Sequence, residues 1–336
     1  MITKSELEIV DKSGMHIVYD NWPKIALESF ESNCKPIDFD NIHHIVFAGM
    51  GGSGAIGDIF SSILSKTKIH VSVTKGYHLP NTVDSNTLVV STSVSGNTVE
   101  TMAVLESAYK KNAKIIAFTS GGKMLEYCIK NGIEHRVVSQ YHSPRASFTS
   151  YLYTILKVLY STLEIKESDI LESIRELEKI CEHINSSNLS ENNPSLNIAK
   201  WLPDIPMIYY PFGLQPVAIR FKNVLQENTK KHVIAEDIIE ACHNGIVAWE
   251  RKSKIKPILI QGKDDHIKTK ERWKIIKEYF NQNEIEFNVI TSIEGSILSK
   301  LMNLIYILDY CSIYKAILEG RDPSPVKSIY FIKNKL

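Results

Sequence analysis

The chain has 336 residues, 43% of them hydrophobic and 23% charged, which suits a soluble globular protein of about two domains and excludes a disordered tail, collagen or a coiled coil. Thirty-nine Lys and Arg against 38 Asp and Glu leave a net charge of +1, so no general basic field exists to gather a nucleic acid.

The first 40 residues carry helical spacing, and their acidic start, MITKSELEIVDKSG, is not that of a secretory signal,. His43 to Gly49 is a short apolar run ended by glycine, and Ala55 to Lys66 has helical spacing,. The unit recurs: a strand over Thr87 to Val94 enters Ser95-Gly96-Asn97, and a helix follows from Thr98 to about Lys111. A strand at Lys114 to Ser120, a helix at Lys123 to Lys130 closed by Asn131-Gly132, and a β-branched run at Val137-Val138 complete a first α/β module over residues 41–165,. Strands alternating with helices predict a parallel sheet with right-handed crossovers.

Residues 166–203 turn polar, with Asn and Ser clusters, and are expected to form a helical connection,. The second module, 204–336, has strands at Met207 to Phe212, Pro257 to Gly262 and Phe287 to Thr291. Its long helix runs from Ser296 to Leu318 and ends at Gly320, and a short helix begins near Pro325,. Ile297 to Leu318 is apolar enough to suggest a membrane span, but Lys300, Asp309 and Lys315 interrupt it, so none is expected,. Five scattered cysteines (Cys34, Cys128, Cys181, Cys242, Cys311) lack any CxxC pair, which argues against a disulfide framework or zinc site and for a reducing cytoplasm,.

Gly49-Met50-Gly51-Gly52-Ser53-Gly54 satisfies GxGxxG between a strand and a helix, but Ile69 to Lys75 lacks the acid that a dinucleotide ribose wants, so no nicotinamide cofactor is expected,. Ser93-Val94-Ser95-Gly96-Asn97-Thr98 places three hydroxyls and a glycine at a helix N-terminus, where backbone N–H groups and the helix dipole favour phosphate,. Ordinary helix capping by Ser95 or Thr98 is the alternative. In the second module Lys263-Asp264-Asp265-His266 stands at the corresponding place, and its paired aspartates would repel phosphate,.

The pairing of GMGGSG with SVSGNT resembles the sugar isomerase (SIS) domain, a phosphosugar-binding module with a five-stranded parallel sheet. Ser143-Pro144-Arg145-Ala146, Gln226 to Lys230, Cys242-His243-Asn244 and Ile332-Lys333 extend the resemblance to the bifunctional phosphoglucose/phosphomannose isomerase family, from about residue 40 onward. It implies tandem flavodoxin-like SIS domains and a metal-free, cofactor-independent homodimer. It also implies interconversion of fructose 6-phosphate with glucose 6-phosphate and mannose 6-phosphate through a cis-enediolate. Phosphate binding would fall to Gly52, Ser53, Ser93, Ser95 and Thr98. Arg145 would stabilise the enediolate and Glu227 would move the proton between C1 and C2. His243, reaching across the dimer, would open the ring, and Lys333 would sit near the ring oxygen.

Read from the residues alone, Glu227 pairs equally well with Lys231, His243 suits a helix end capped by Asn-Gly, and Lys333 is a frayed surface lysine,. Arg145 in a helix's first turn would oppose the dipole, which favours a functional reading. Departures from the family pattern are Gln226 for asparagine, Gly245 for a larger residue, and Ser324 for a threonine associated with handling both C2 epimers. Isomerisation of another phosphosugar, or phosphosugar sensing without turnover, are the rival readings.

Overall fold

The computed structural model describes residues 2–335. They divide into two compact units, one holding residues 21–178 with 296–299, the other the residues up to Asp20, 179–295 and those from Lys300 onward. Helices α1 (Lys4–Val10), α2 (Met15–Asp20) and α3 (Trp22–Phe30) open the chain.

The first sheet follows, with β1 (His44–Ala48), α4 (Gly51–Ile63), β2 (His70–Thr74), β3 (Thr87–Ser93), α5 (Val99–Lys110), β4 (Lys114–Thr119), α6 (Gly122–Asn131), β5 (Glu134–Val137) and α7 (Phe148–Leu159). All five strands are parallel, in the order β2-β1-β3-β4-β5. This is the flavodoxin-like order. β3 is buried at every residue between two helix-covered faces, its apolar Leu88-Val89-Val90 run flanked by four small hydroxyl residues, Thr87, Ser91, Thr92 and Ser93,. One face packs Val46, Ala48 and Val89 against Val104 and Leu105 of α5 and Met124 of α6. On the other, Phe47 stacks on Phe60 of α4 at 4.7 Å. Gly57 lets α4 lie close there, since a Cβ would stand 2.9 Å from Phe47 Cβ.

The polar stretch 166–203 is helical, with α8 (Glu167–Ile184) and α9 (Pro194–Trp201) separated by a turn in which Asn193 Oδ1 accepts the Leu196 N–H at 2.9 Å. The second unit then runs through β6 (Pro206–Tyr210), α10 (Gln215–Thr229), β7 (Ile234–Asp237), α11 (Ile238–Ala241), β8 (Lys256–Gln261), α12 (Ile267–Gln282), β9 (Asn288–Thr291), α13 (Ile297–Leu318) and α14 (Lys327–Lys333). Its sheet is parallel with the order β7-β6-β8-β9. Four strands stand where the resemblance implied five. β7 was not foreseen, because Ile-Ala-Glu-Asp at a sheet edge has no apolar run to announce it. α13 is the one helix among the described residues long and apolar enough to span a membrane, and it is mostly buried within the chain.

His44 and His70 pair in register across β1 and β2 with rings 4.9 Å apart, and His44 Nε2 lies 2.9 Å from Ser72 Oγ. Burial, then the charge of His70, pushes the His44 imidazole below its ordinary value, against an opposing pull from Asp84. The unfolded chain therefore binds this proton more readily, and stability falls as pH drops through the unfolded histidine range of about 6.5. Melting temperatures measured between neutral and mildly acid pH should fall less for His44→Gln than for the native chain.

Candidate active site

In the first sheet the strand order reverses between β1 and β3. Their crossovers leave to opposite faces, and a crevice opens beyond the carboxyl ends of the two strands. The loop after β1 holds Gly49 to Gly54 and the loop after β3 holds Ser93 to Thr98, so both glycine loops flank that crevice.

α4 starts at Gly51, four residues before the apolar spacing suggested, so Gly52, Ser53 and Gly54 form its first turn. Its N-cap Met50 is extended and makes no side-chain cap, and Met50 O accepts the Ser53 and Gly54 N–H groups at 3.1 and 3.2 Å, so the Gly51 and Gly52 N–H groups are the ones that precede the first helical bonds,. Gly51 has φ +54°, a left-handed conformation at the corner between strand and helix,. Ser53 is buried.

In the second loop Thr98 is the N-cap of α5, yet its side chain makes no cap bond. Its Oγ1 instead lies 3.0 Å from Ser93 Oγ, and Ser95 Oγ accepts the Asn97 N–H at 3.3 Å. Simple helix capping by Thr98 is thereby excluded. Gly96 has φ +66°, and a Cβ there would meet Gly121 O at 1.7 Å. Asn97 Oδ1 accepts the Lys123 N–H at 3.1 Å, and Gly96 O accepts the Met124 N–H at 2.9 Å. The Gly121-Gly122 loop is thus part of the same construction. The sequence marked only the helix from Lys123, although a second double glycine after an adjacent strand was the available signal.

Arg145 is buried at 4% exposure. It does not lie in a helix's first turn as Ser143-Pro144 suggested, because α7 begins at Phe148. It lies in a preceding turn closed by the Ser147 N–H to Ser143 O at 3.0 Å. Ser147 Oγ accepts the Tyr141 N–H at 2.9 Å, and Trp22 Nε1 donates to Ala146 O at 3.0 Å, fixing the turn from both sides. Gly52 brings the first loop against it, since a Cβ there would stand 3.2 Å from Pro144 O and 3.4 Å from Arg145 Cα. The structure therefore assembles both glycine loops and Arg145 in one unit.

Glu227, His243 and Lys333 belong to the other unit. Glu227 is half-buried near the end of α10. The expected alternative partner, Lys231, is committed to Asp204 at 2.7 Å and Glu319 at 2.9 Å. Lys230, left-handed at φ +62°, closes α10 and donates through Nζ to Glu227 O and, at 2.6 Å, to Pro325 O. This ties the Ser324-Pro325 turn to the end of the helix that carries Glu227. His243 is exposed after α11, and Asn244-Gly245 is no left-handed cap: Asn244 has φ −149° and leads into a 3₁₀ turn. Gly245 faces Glu236, whose Oε2 lies 2.5 Å from where a Cβ would be. Burial, then Glu240 and Asp237, pushes the Glu236 carboxyl up. Lys333 is the last residue of the exposed α14.

The second sheet repeats the strand reversal between β6 and β8. There the Gly262 N–H donates to Asp265 Oδ2 at 3.0 Å, and Trp273 Nε1 donates to the same oxygen at 2.9 Å. Burial pushes this carboxyl up, while Trp273 and the Gly262 N–H pull it down. Asp264 pairs with Lys300. No group of three or more His, Cys, Asp or Glu side chains among the described residues is placed to hold a metal ion.

Residues 38–143 match the SIS domain model, and residues 191–336 match the bacterial phospho-glucose isomerase C-terminal SIS domain. A bifunctional phosphoglucose/phosphomannose isomerase from Caldicellulosiruptor bescii is 34% identical over 308 residues, 88% of this chain and 90% of that protein. One from Aquifex aeolicus is 32% identical over 303 residues, 87% and 90% of the two chains. A D-glucosamine-6-phosphate 4-epimerase from Sulfolobus acidocaldarius is 29% identical over 252 residues, 73% and 77% of the two chains. Among solved structures, the C-terminal domain of glucosamine-fructose-6-phosphate aminotransferase from Francisella tularensis superposes with a TM-score of 0.68 at 16% identity, covering 93% of this chain and 98% of that one. Tagatose-6-phosphate ketose/aldose isomerase from Escherichia coli gives 0.65 at 14%, covering 95% and 93%.

The Gly96 contact is directly testable. A side chain there must both hold a left-handed backbone and displace Gly121, so Gly96→Ala should lower unfolding free energy by about 2 kcal/mol or more in a urea titration. Gly213→Ala, where a Cβ meets nothing within 4 Å, should be nearly silent.

Proposed function

Since this chain belongs to the bifunctional phosphoglucose/phosphomannose isomerase family, we propose that it is an aldose–ketose isomerase interconverting fructose 6-phosphate with glucose 6-phosphate and mannose 6-phosphate. The observation that carries this reading is the meeting of two glycine-rich, hydroxyl-bearing loops at the strand reversal, with the buried Arg145 turn held against Gly52.

In this reading the sugar phosphate enters the crevice between β1 and β3. The amide of Gly52 and the hydroxyls of Ser53, Ser93, Ser95 and Thr98 receive its phosphate, with the N-terminal dipoles of α4 and α5 adding to the attraction. Phosphate binding orients C1 and C2, converting remote binding energy into alignment at the reacting carbons. Glu227 removes a proton from one of these carbons and returns it to the other. Negative charge develops on the O1 and O2 of the cis-enediolate, and Arg145 stabilises it. His243, contributed by the partner subunit of a homodimer, transfers a proton as the ring opens, and Lys333 lies by the ring oxygen. The exposure of His243 and Lys333 in the single chain is compatible with surfaces completed by a second copy. No cofactor takes part, and the enzyme works in the cytoplasm, where its five free cysteines remain reduced,.

Ser324 keeps the hydroxyl of the family's threonine without its methyl group, and its N–H is held by Asp322 Oδ1 at 2.9 Å. Its tie through Lys230 to the end of α10 gives this turn a route to Glu227 and hence to the choice between C2 epimers. The 4-epimerase relative favours one second reading, action on another phosphosugar.

A proton NMR time course with fructose 6-phosphate in deuterated water, using chelator-treated protein, separates these readings. Glucose 6-phosphate and mannose 6-phosphate should grow in with deuterium at C2. Absence of product from protein that still binds the sugar phosphate would favour the second reading or a sensor. Glu227→Gln should lower turnover by about 10²- to 10⁴-fold while sparing sugar-phosphate binding, and near-native turnover would remove Glu227 from the mechanism.

A further inference from the structure

Arg220 and Asp309 form a charge pair sealed from solvent, their side chains 2% and 1% exposed. Arg220 donates to Asp309 Oδ2 through Nε at 3.1 Å and Nη2 at 2.6 Å, and Tyr19 OH donates to the same oxygen at 3.1 Å. The other oxygen, Oδ1, is buried and has no hydrogen-bond partner. Three donors thus converge on one side of the carboxylate and leave the other uncompensated.

A buried ion pair is a poor way to gain stability, because desolvating both charges offsets most of their attraction and an apolar pair of similar volume packs as well. Its position suggests another use. Arg220 and Glu227 are seven residues apart on α10, two helical turns, and so project from one face,. The adjoining Asn228 donates through Nδ2 to Ser312 Oγ at 2.8 Å, and Ser312 Oγ donates to the Asp309 carbonyl at 2.6 Å, fastening the end of α10 to α13. Burial pushes the Asp309 carboxyl up, Arg220 and Tyr19 pull it down, and the negative charge of Glu227 pushes it up again.

We propose that Asp309, clamped by Arg220 and Tyr19, is a positioning residue for Glu227, fixing the rotation of α10, which carries the reacting carboxylate. The proposal rests on Glu227 being the base.

The test is kcat and KM for fructose 6-phosphate in the native enzyme, Asp309→Asn, Tyr19→Phe and Glu227→Gln. Asp309→Asn keeps the shape and an acceptor for Arg220 while removing the charge that clamps it. It should lower kcat about tenfold with KM within about twofold. Tyr19→Phe, which removes only a hydroxyl, should lower kcat by less, again with KM nearly unchanged. A native kcat, or an effect confined to KM, overturns the proposal. Should Asp309→Asn fail to fold, Tyr19→Phe decides by the same criteria. Glu227→Gln separates the two readings: if it stays active, the base assignment falls and this proposal with it, whereas an inactive Glu227→Gln beside a native kcat in Asp309→Asn rejects only the positioning role.

Discussion

Neighbouring parallel strands whose crossovers leave in opposite directions cannot close the space beyond their ends, and the first sheet depends on that constraint between β1 and β3,. The loops there must turn within a few residues and approach one another at backbone distance. Side chains would keep them apart, so glycine is required where they meet: at Gly96, which touches Gly121, and at Gly52, which touches the Arg145 turn. The hydroxyls of Ser93 and Thr98 then face each other across the second loop. Site chemistry here follows from how closely the backbone can approach.

Much of this was legible in the sequence because buried parallel strands announce themselves. Each of β1, β3, β4, β6 and β8 carries an apolar run, and a glycine follows within three residues of its end. β7 escaped because a short edge strand needs no apolar run. The start of α4 escaped for the opposite reason: glycines are poor helix formers, and only tertiary packing makes Gly51 to Gly54 helical,. The turn at Arg145 shows a limit of local signals, since Ser-Pro marks a departure from extended chain but not how many residues pass before the helix forms.

Long-range pairs were the least legible. In the sequence Asp309 is a blemish in an apolar helix, useful only as an argument against a membrane. In the structure it meets Arg220, 89 residues away, and Tyr19, 290 residues away. No spacing rule links such partners, because their meeting depends on how α2, α10 and α13 pack. The same holds for Lys231, which local spacing offered to Glu227 and which tertiary structure gave to Asp204 and Glu319.

Asp265 gives the second sheet a different character from the first. Its carboxylate accepts the Gly262 N–H three residues away, at the place where the first sheet leaves an open loop. An anion tethered that closely faces its amide at an effective concentration no dissolved ligand approaches. The amide of the second module's loop is thus satisfied from within, by a carboxylate that cannot diffuse away. Two sheets with the same strand reversal can diverge by this single means, one loop closed by glycine contacts and the other by a tethered anion.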